Sequence, residues 1–582
     1  MSIDPYDYFL KPSYISQKKY EALRAFFFDK QSAKAVAGKF GYKLSAFYTL
    51  TRDFRKLLKK ADIHEDMFFQ KSRPGRKEKD KEGDITGLIV SLRKKYLSVP
   101  DIKAVIDSQG YKTSERYIHN VLRKEGFARL PRRPNHARKI HDTQKIKAPE
   151  SIPLLYLSEK FSTVNSIGIL CLIPYIRIFG IDKALEESQY PGTKNLDRLA
   201  SILSFIGLKL SNVRRYSADD IWCMDRGLGL FAGLNVLPKC AWFSSYSSRI
   251  TRKMNLSFLR SLHGIWRENG LLSDTINLDF TASPYWGEDS HLENNWSGKR
   301  HTALASILAV LGQDPDSGII DYSDSNIRHK DQDKVVLEFL DFYREGKGED
   351  LKYVIFDSKF TPYENLRKLD DRQIKFITIR RRGKNIVDTL ERMPASSWKK
   401  IRVMNADGKG RELKTYEEEV MLKDYGKPIR QVAITGHGKE KPALIITNDF
   451  QITQESLVRK YSRRWIVEKG ISEQIEFFHL NRVSSSMVIK VDFDLTMTVL
   501  ASNLYRLLAM DLSGYSHNTS QSLYEKFLYN SGEIEIMDDQ ILVKMKKKRN
   551  LPALLSAMDK FKDLRIPWLN DKKCVFLGAS TT

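Results

Sequence analysis

Thr275-Ile-Asn-Leu-Asp279-Phe-Thr281 is a β-prone apolar run with a carboxylate set in its middle. Burying a carboxylate in such a strand is costly unless it is paired or bound to a cation. Reading outward, Ala303–Leu311 and Gly318–Tyr322 continue as strands, joined through the turn residues Gln313-Asp-Pro-Asp-Ser-Gly318. A helical pattern over Lys334–Glu345 leads to a strand at Leu351-Lys-Tyr-Val-Ile-Phe-Asp357, a helix at Pro362–Leu369 and a strand at Lys375–Ile379.

Three strands, helix, strand, helix, strand is the order of a ribonuclease-H-like fold. It predicts Asp279 within the first strand and Asp357 at the end of the fourth, side by side in the sheet. Two adjacent carboxylates repel each other, and a hard divalent ion, Mg2+ or Mn2+, resolves the repulsion. Downstream, Lys460-Tyr461-Ser-Arg-Arg464-Trp465-Ile-Val-Glu468, read as helix, puts a phenol, a guanidinium and a carboxylate on one stripe. A lone Glu/Arg pair on a helix is ordinarily solvated surface. The two aspartates upstream offer a second reading, in which the stripe is the third side of a site for metal and phosphate.

These residues resemble the insertion-sequence transposases of the Asp-Asp-Glu class, in the subgroup with a Y-x2-R-x3-E-x6-K signature. The matching stretches are Leu278-Asp279-Phe-Thr281, Val354-Ile-Phe-Asp357-Ser-Lys-Phe, and Leu444-Ile-Ile-Thr-Asn448 running into Tyr461, Arg464, Trp465 and Glu468. The likeness spans roughly Asp274–Leu508. Asp357 follows Asp279 by 78 positions, ordinary for this core, but Glu468 follows Asp357 by 111, too many for one strand and one helix. The excess, about Gly383–Pro442, alternates like β-structure at Lys399–Val403 and Ile429–Ile434 and resembles the β-rich insertion domain of such transposases. The chain departs from the signature at Ile475, where lysine is expected; Lys469 and His479 are the nearest substitutes, and Glu473 and Glu476 are rivals to Glu468 as third carboxylate.

The resemblance implies catalytic roles for Asp279, Asp357, Glu468, Arg464 and Tyr461, with the three carboxylates as ligands of Mg2+ (or Mn2+). It implies cleavage at transposon ends and strand transfer into target DNA, by a homodimer holding double-stranded DNA in a synaptic complex. It also implies a cytoplasmic, nucleoid-associated protein of a prokaryotic-type cell.

Composition agrees with a polyanionic partner. The 582 residues carry 97 Lys+Arg against 72 Asp+Glu, a formal net charge of +25. The most apolar run, Ser166–Ile181, is broken by Pro174 and Arg177 and falls short of a bilayer span, so no membrane partner is expected. The N-terminal MSIDPYDYFLKPSY lacks the plan of a signal peptide. Cys171, Cys223, Cys240 and Cys574 are scattered without CxxC spacing and fit reduced core thiols.

Ahead of the core, residues 1–70 and 85–128 each read as a helix-turn-helix. The first presents Tyr48, Thr49 and Arg52; the second opens with a capping box at Ser98-Val-Pro-Asp101 and presents Arg116 and Arg123. Residues 129–150 form a basic arm with Arg132, Arg133, Arg138 and Lys139, suited to tracking phosphates. The expected whole is a multidomain α+β chain. Two helix-turn-helix modules and the arm precede a helical domain (151–272), a ribonuclease-H-like α/β catalytic core in two parts (273–382 and 443–515) around the β-rich insertion (383–442), and a helical C-terminal region (516–582). Gly227–Gly233 fails nucleotide-loop spacing and reads as packing, and Gly438-Lys439-Glu440 is not a phosphate-binding loop. Two other functions share these residues: a catalytically inactive, transposase-derived DNA-binding regulator, and a ribonuclease-H-like nuclease without strand transfer.

Overall fold

A computed structural model describes residues 9, 12, 14–58, 68, 84–94, 97–108, 111, 113–127, 159–193, 196–213, 221–284, 292–297, 302–346, 351–357, 362–381, 383–404, 410–438, 441–464, 477–479 and 488–579. The chain divides into two compact units, Met1–Gly83 and Asp84–Thr582.

In the first unit three helices, α1 (Ile15–Phe27), α2 (Ala33–Lys39) and α3 (Leu44–Leu58), close over Ala22, Ala25, Val36, Ala37, Phe40 and Phe47. Ser32 caps α2, its hydroxyl accepting the Ala35 N–H at 3.3 Å. Gly41, at φ +63°, makes the left-handed turn into α3 that a side chain would resist.

The second unit opens with α4 (Asp84–Lys94), α5 (Val99–Ser108) and α6 (Glu115–Lys124). The capping box is present at the start of α5. Ser98 N–H donates to Asp101 Oδ2 at 3.2 Å, and Asp101 N–H donates back to Ser98 Oγ at 3.4 Å. Ser114 caps α6 through the Tyr117 N–H. Ile102, Val105, Ile106, Ile118, Val121 and Leu122 form the shared core of these helices, as their spacing requires.

The main sheet has ten strands. In chain order they are β2 (Thr275–Pro284), β3 (Asn294–Ser297), β4 (Thr302–Gln313), β5 (Ile320–Ile327), β6 (Tyr353–Phe356), β7 (Lys375–Ile379), β8 (Lys399–Met404), β9 (Gly410–Met421), β10 (Pro428–Thr435) and β11 (Ala443–Thr447), with β1 (Glu159–Thr163) placed in a second sheet. The order is β3-β4-β2-β6-β7-β11-β10-β9-β8, with β5 paired to β4. β6 runs parallel to both β2 and β7. The residues from Leu308 to Asp314 on β4 and just beyond are buried without alternation, as expected for a strand covered on both faces.

The strands of 399–435 continue the core sheet, for β10 pairs with β11 and β11 with β7. The reason is local, because β7 offers an unpaired edge that β11 fills. The short strand β3 was not expected. The C-terminal region, expected to be helical, also contains four strands: β12 (Gly532–Ile536), β13 (Gln540–Met545), β14 (Arg565–Ile566) and β15 (Lys572–Gly578). Alternating burial in β12 and β13 shows the period of two that makes them strands.

β1 pairs with β12, so within the region expected to be mostly helical there is an edge strand of this five-stranded sheet. The helices following β1 include α7 (Arg198–Leu210) and α8 (Arg252–Glu268), and they share one core with β12, β13 and the buried helix Val488–Asp511. Ser166–Ile181 is buried, as a short 3-10 turn at Ile167–Leu172 followed by the helix Ile173–Ile178. Among the described residues no helix is long and apolar enough to cross a membrane. Cys171, Cys223 and Cys574 are buried and form no disulfide among the described residues, and burial pushes the Cys574 thiol up to about 12. Gly229 packs against backbone; a Cβ there would meet Asn235 O at 2.4 Å.

The helix Val488–Asp511 joins this core to the main sheet. Asn503 acts as a strand partner to Ile320, accepting its N–H at 2.9 Å and donating to its carbonyl at 2.8 Å. Arg252 pairs with Asp492 at 3.0 Å and Asp324 at 3.2 Å, and Asn255 donates to Asp492 at 2.6 Å. The buried Asp492 carboxyl is held above its ordinary range by desolvation, which Arg252 opposes.

Candidate active site

β2 and β6 are in parallel register through Leu278 and Phe356. The next residue on each chain is an aspartate, so Asp279 and Asp357 stand at neighbouring positions where this pairing ends. The alternation of the strands decides their face. Leu278, Val354 and Phe356 pack in the layer of the helices Val335–Glu345 and Tyr363–Asp371, whereas Ile355 and Ile377 pack with Leu457, Val458 and Tyr461 of the helix Gln454–Ser462. Asn277 and Asp279 therefore point toward the latter helix.

That helix is capped by Thr453, whose hydroxyl accepts the Ser456 N–H at 3.2 Å. Its C-terminal turn is tied to β2 and its neighbours by basic side chains. Lys460 Nζ donates to Thr275 Oγ1 at 3.0 Å and lies 4.3 Å from the centroid of the Tyr353 ring. Asn277 donates to the Arg463 carbonyl at 3.3 Å, and Arg463 pairs with Asp316 at 2.6 Å. Arg464 Nη1 donates to Asp279 Oδ2 at 2.6 Å, while Asp279 Oδ1 accepts the N–H of Phe280 at 2.8 Å.

The Arg464 guanidinium also lies 5.6 Å from the Tyr461 ring centroid. Burial pushes the Tyr461 hydroxyl up to about 12; Arg464 pulls it down, while Asp357 and Asp279 push it further up. Tyr461, Arg464, Asp279 and Asp357 thus share one electrostatic neighbourhood, on elements far apart in sequence.

The regular helix ends at Ser462, two residues before Arg464, and not beyond Glu468 as expected. Glu468 lies outside the described residues, as do Trp465, Lys469, Glu473, Ile475 and Glu476. His479 is described, with Nε2 at 2.5 Å from Asn212 Oδ1. Among the described residues no group of three His, Cys, Asp or Glu side chains is placed to hold a metal ion. Asn277, Lys460 and Arg463 escaped sequence reasoning. The available signal was polar Thr275, Asn277 and Asp279 recurring at every second position of an otherwise apolar strand.

Of the expected DNA contacts, Tyr48 and Arg52 are exposed on α3, and Arg116 and Arg123 are exposed on α6. Arg132, Arg133, Arg138 and Lys139 lie outside the described residues.

No curated protein matches the chain. Among solved structures it is similar to the "Cryo-EM structure of piggyBac transposase synaptic complex with hairpin DNA (SNHP)", at 10% identity and a TM-score of 0.33, over 64% of this chain and 83% of that one. Residues 279–504 match the family model described as "Transposase DDE domain", a match whose first residue is Asp279. Over those residues the chain carries a transposase DDE domain.

Proposed function

We propose that this protein is a transposase that binds the terminal inverted repeats of an insertion sequence, cleaves at the element's ends and transfers the freed 3′-OH strands into target DNA. The observation that carries the reading is that Asp279 and Asp357 stand at neighbouring positions where β2 and β6 cease to pair, beside Tyr461 of the helix Gln454–Ser462 and Arg464 just after it. Hard carboxylate oxygens brought together in this way fit Mg2+ or Mn2+, with Glu468 as the third ligand. When bound, two such ions supply activation of water or a 3′-OH and stabilisation of the leaving oxygen.

The chain's own residues do the remainder. Arg464 holds the Asp279 carboxylate in place and carries the charge that neutralises a phosphate beside the scissile bond. Tyr461 remains a phenol across the physiological range and donates a hydrogen bond to a phosphate oxygen. Tyr48, Arg52, Arg116 and Arg123 contact duplex DNA from the two helical modules, and Arg132, Arg133, Arg138 and Lys139 of the arm that follows them track the phosphate backbone. The core between β2 and β7 is read as ribonuclease-H-like, and the active assembly as a homodimer bridging both ends.

The test is a supercoiled plasmid carrying the element's ends, incubated with Mg2+ and wild type beside Asp279→Ala and Asp357→Ala. Nicked and joined products are expected from wild type alone. Equal nicking by either variant sinks the carboxylate site, binding without cleavage by wild type favours a regulator, and cleavage without joining favours a simple nuclease.

A further inference from the structure

A cleft of about 540 Å3 opens beyond the carboxyl ends of β5 and β7, lined by residues of the helix Tyr363–Asp371 among others. Its volume lies in the roughly 300–1,000 Å3 range of small-molecule sites, and the carboxyl ends of strands in an open α/β sheet are where such sites form. Its lining draws on both layers of the sheet, for Ile379 packs with Ile377 and Tyr461 on the Asp279 side while most of the other lining residues lie on the opposite face. Its lining residues Leu366 and Ile446 belong to the layer of Phe356 and Phe376, and Thr378 shares the Phe376 face two positions along β7.

The polar lining is of two kinds. Thr378 is 2% exposed and its Oγ1 has no hydrogen-bond partner among the described residues. Asp333 Oδ1, buried in the same cleft, is likewise without one. A buried hydroxyl and a buried carboxylate oxygen left unmatched on two elements call for a ligand that brings N–H donors. At the rim, Lys330 and Arg381 are exposed and form no ion pair among the described residues. Between them the helix Tyr363–Asp371 starts at Pro362 without a side-chain cap, its positive end toward the cleft. Tyr363, half-buried, adds an aromatic side chain to the lining, with Leu366 and Ile446 buried beside the cleft. Asp424 is exposed at the edge and restricts the anion to the Lys330–Arg381 side.

An anion, N–H donors and a flat ring are together the parts of a nucleotide. We propose that this cleft is a nucleotide subsite that takes one nucleoside monophosphate unit, the phosphate toward Lys330, Arg381 and the helix N-terminus, the base edge toward Asp333 and Thr378. It does not depend on the reading of the Asp279 site. The unit comes either from free nucleotide or from an unpaired nucleotide of a DNA strand.

Calorimetric titration of the full chain with the four deoxynucleoside monophosphates, and with a short unpaired oligonucleotide, tests the assignment. Wild type is compared with Arg381→Ala, Asp333→Asn and Thr378→Val. Saturable binding is expected, weakened on the order of tenfold by Arg381→Ala. Asp333→Asn and Thr378→Val are expected to act most on bases bearing an amino group. Binding of free monophosphates assigns the subsite to free nucleotide, and binding of the oligonucleotide alone, lost in Arg381→Ala, assigns it to an unpaired strand. Absence of binding to either probe overturns the proposal, as does binding insensitive to all three cleft variants; exposed Arg381 is the variant least able to disturb folding.

Discussion

Arg464 Nη1 donates to Asp279 Oδ2 at 2.6 Å, joining the end of the helix Gln454–Ser462 to the middle of β2. The side chains are 9% and 13% exposed, so the pair is screened little by water. Removing one partner strands the other charge in a nearly dry place, which costs about 3–5 kcal/mol. Arg464→Ala is expected to lower the urea midpoint accordingly. Arg464→Lys is expected to fall in between, because lysine keeps the charge and loses the planar fork. Identical midpoints for wild type and Arg464→Ala would show that the pair does not hold the helix to the sheet.

Tyr461 sets a pH expectation. Its folded-state value is raised to about 12 from an ordinary value near 10. A raised value means that its contribution to stability is complete below about pH 10 and is lost as pH rises through about 12. Between pH 7 and 9.5 the group stays a phenol, so end cleavage by Tyr461→Phe should show the same pH profile as wild type at a lower level. A limb in the wild-type profile below pH 10 that vanishes in Tyr461→Phe contradicts this assignment.

The C-terminal sheet bears on folding. Ile534, Ile541 and Val543 are buried in one core with Ile167, Leu203 and Phe205, and β12 supplies the pairing partner of β1. Deleting residues 530–582 should therefore remove cooperative thermal unfolding of the 159–272 region and leave the chain prone to aggregate. A soluble, cooperatively folding truncation that has merely become monomeric would instead make this sheet a dimerisation element.

In the second helical module, Ser98→Ala removes half of the capping box at the start of α5. A loss of about 1 kcal/mol is expected. It should appear as faster amide exchange confined to α5 and its neighbours, with the main sheet unaffected; unchanged exchange in α5 would mean that helix packing alone sets its start.

Removing residues 1–128 is expected to abolish footprints on the element's ends while leaving the main sheet folded. An unchanged footprint would transfer end recognition to the DDE domain or to the C-terminal sheet.

Much of the main sheet was legible because its signals are local. β2 and β7 carry apolar β-prone runs, the helix Val335–Glu345 has a continuous apolar stripe, and the boundaries fall at Gly, Pro and Asp turns. The helices α5 and α6 were legible for the same reason, since Ser98, Asp101 and Ser114 announce their starts. The C-terminal strands were open to the same reading, for Gly532–Ile536 alternates cleanly, but runs of five or six residues beside an apolar helix at Leu551–Asp559 give a weak signal.

By itself, then, the sequence determined element types over most of the sheet, and it determined the chemistry available there: two aspartates, a tyrosine and an arginine in a strongly basic chain. Tertiary structure alone decided that the strands of 399–435 prolong the core sheet, that β1 finds its partner in β12, and that Arg464 closes on Asp279. The physical reason is that a strand edge offers the same backbone donors and acceptors whatever its side chains. Which edge it meets, and which charges then face each other in a dry interior, is settled by how the whole chain packs.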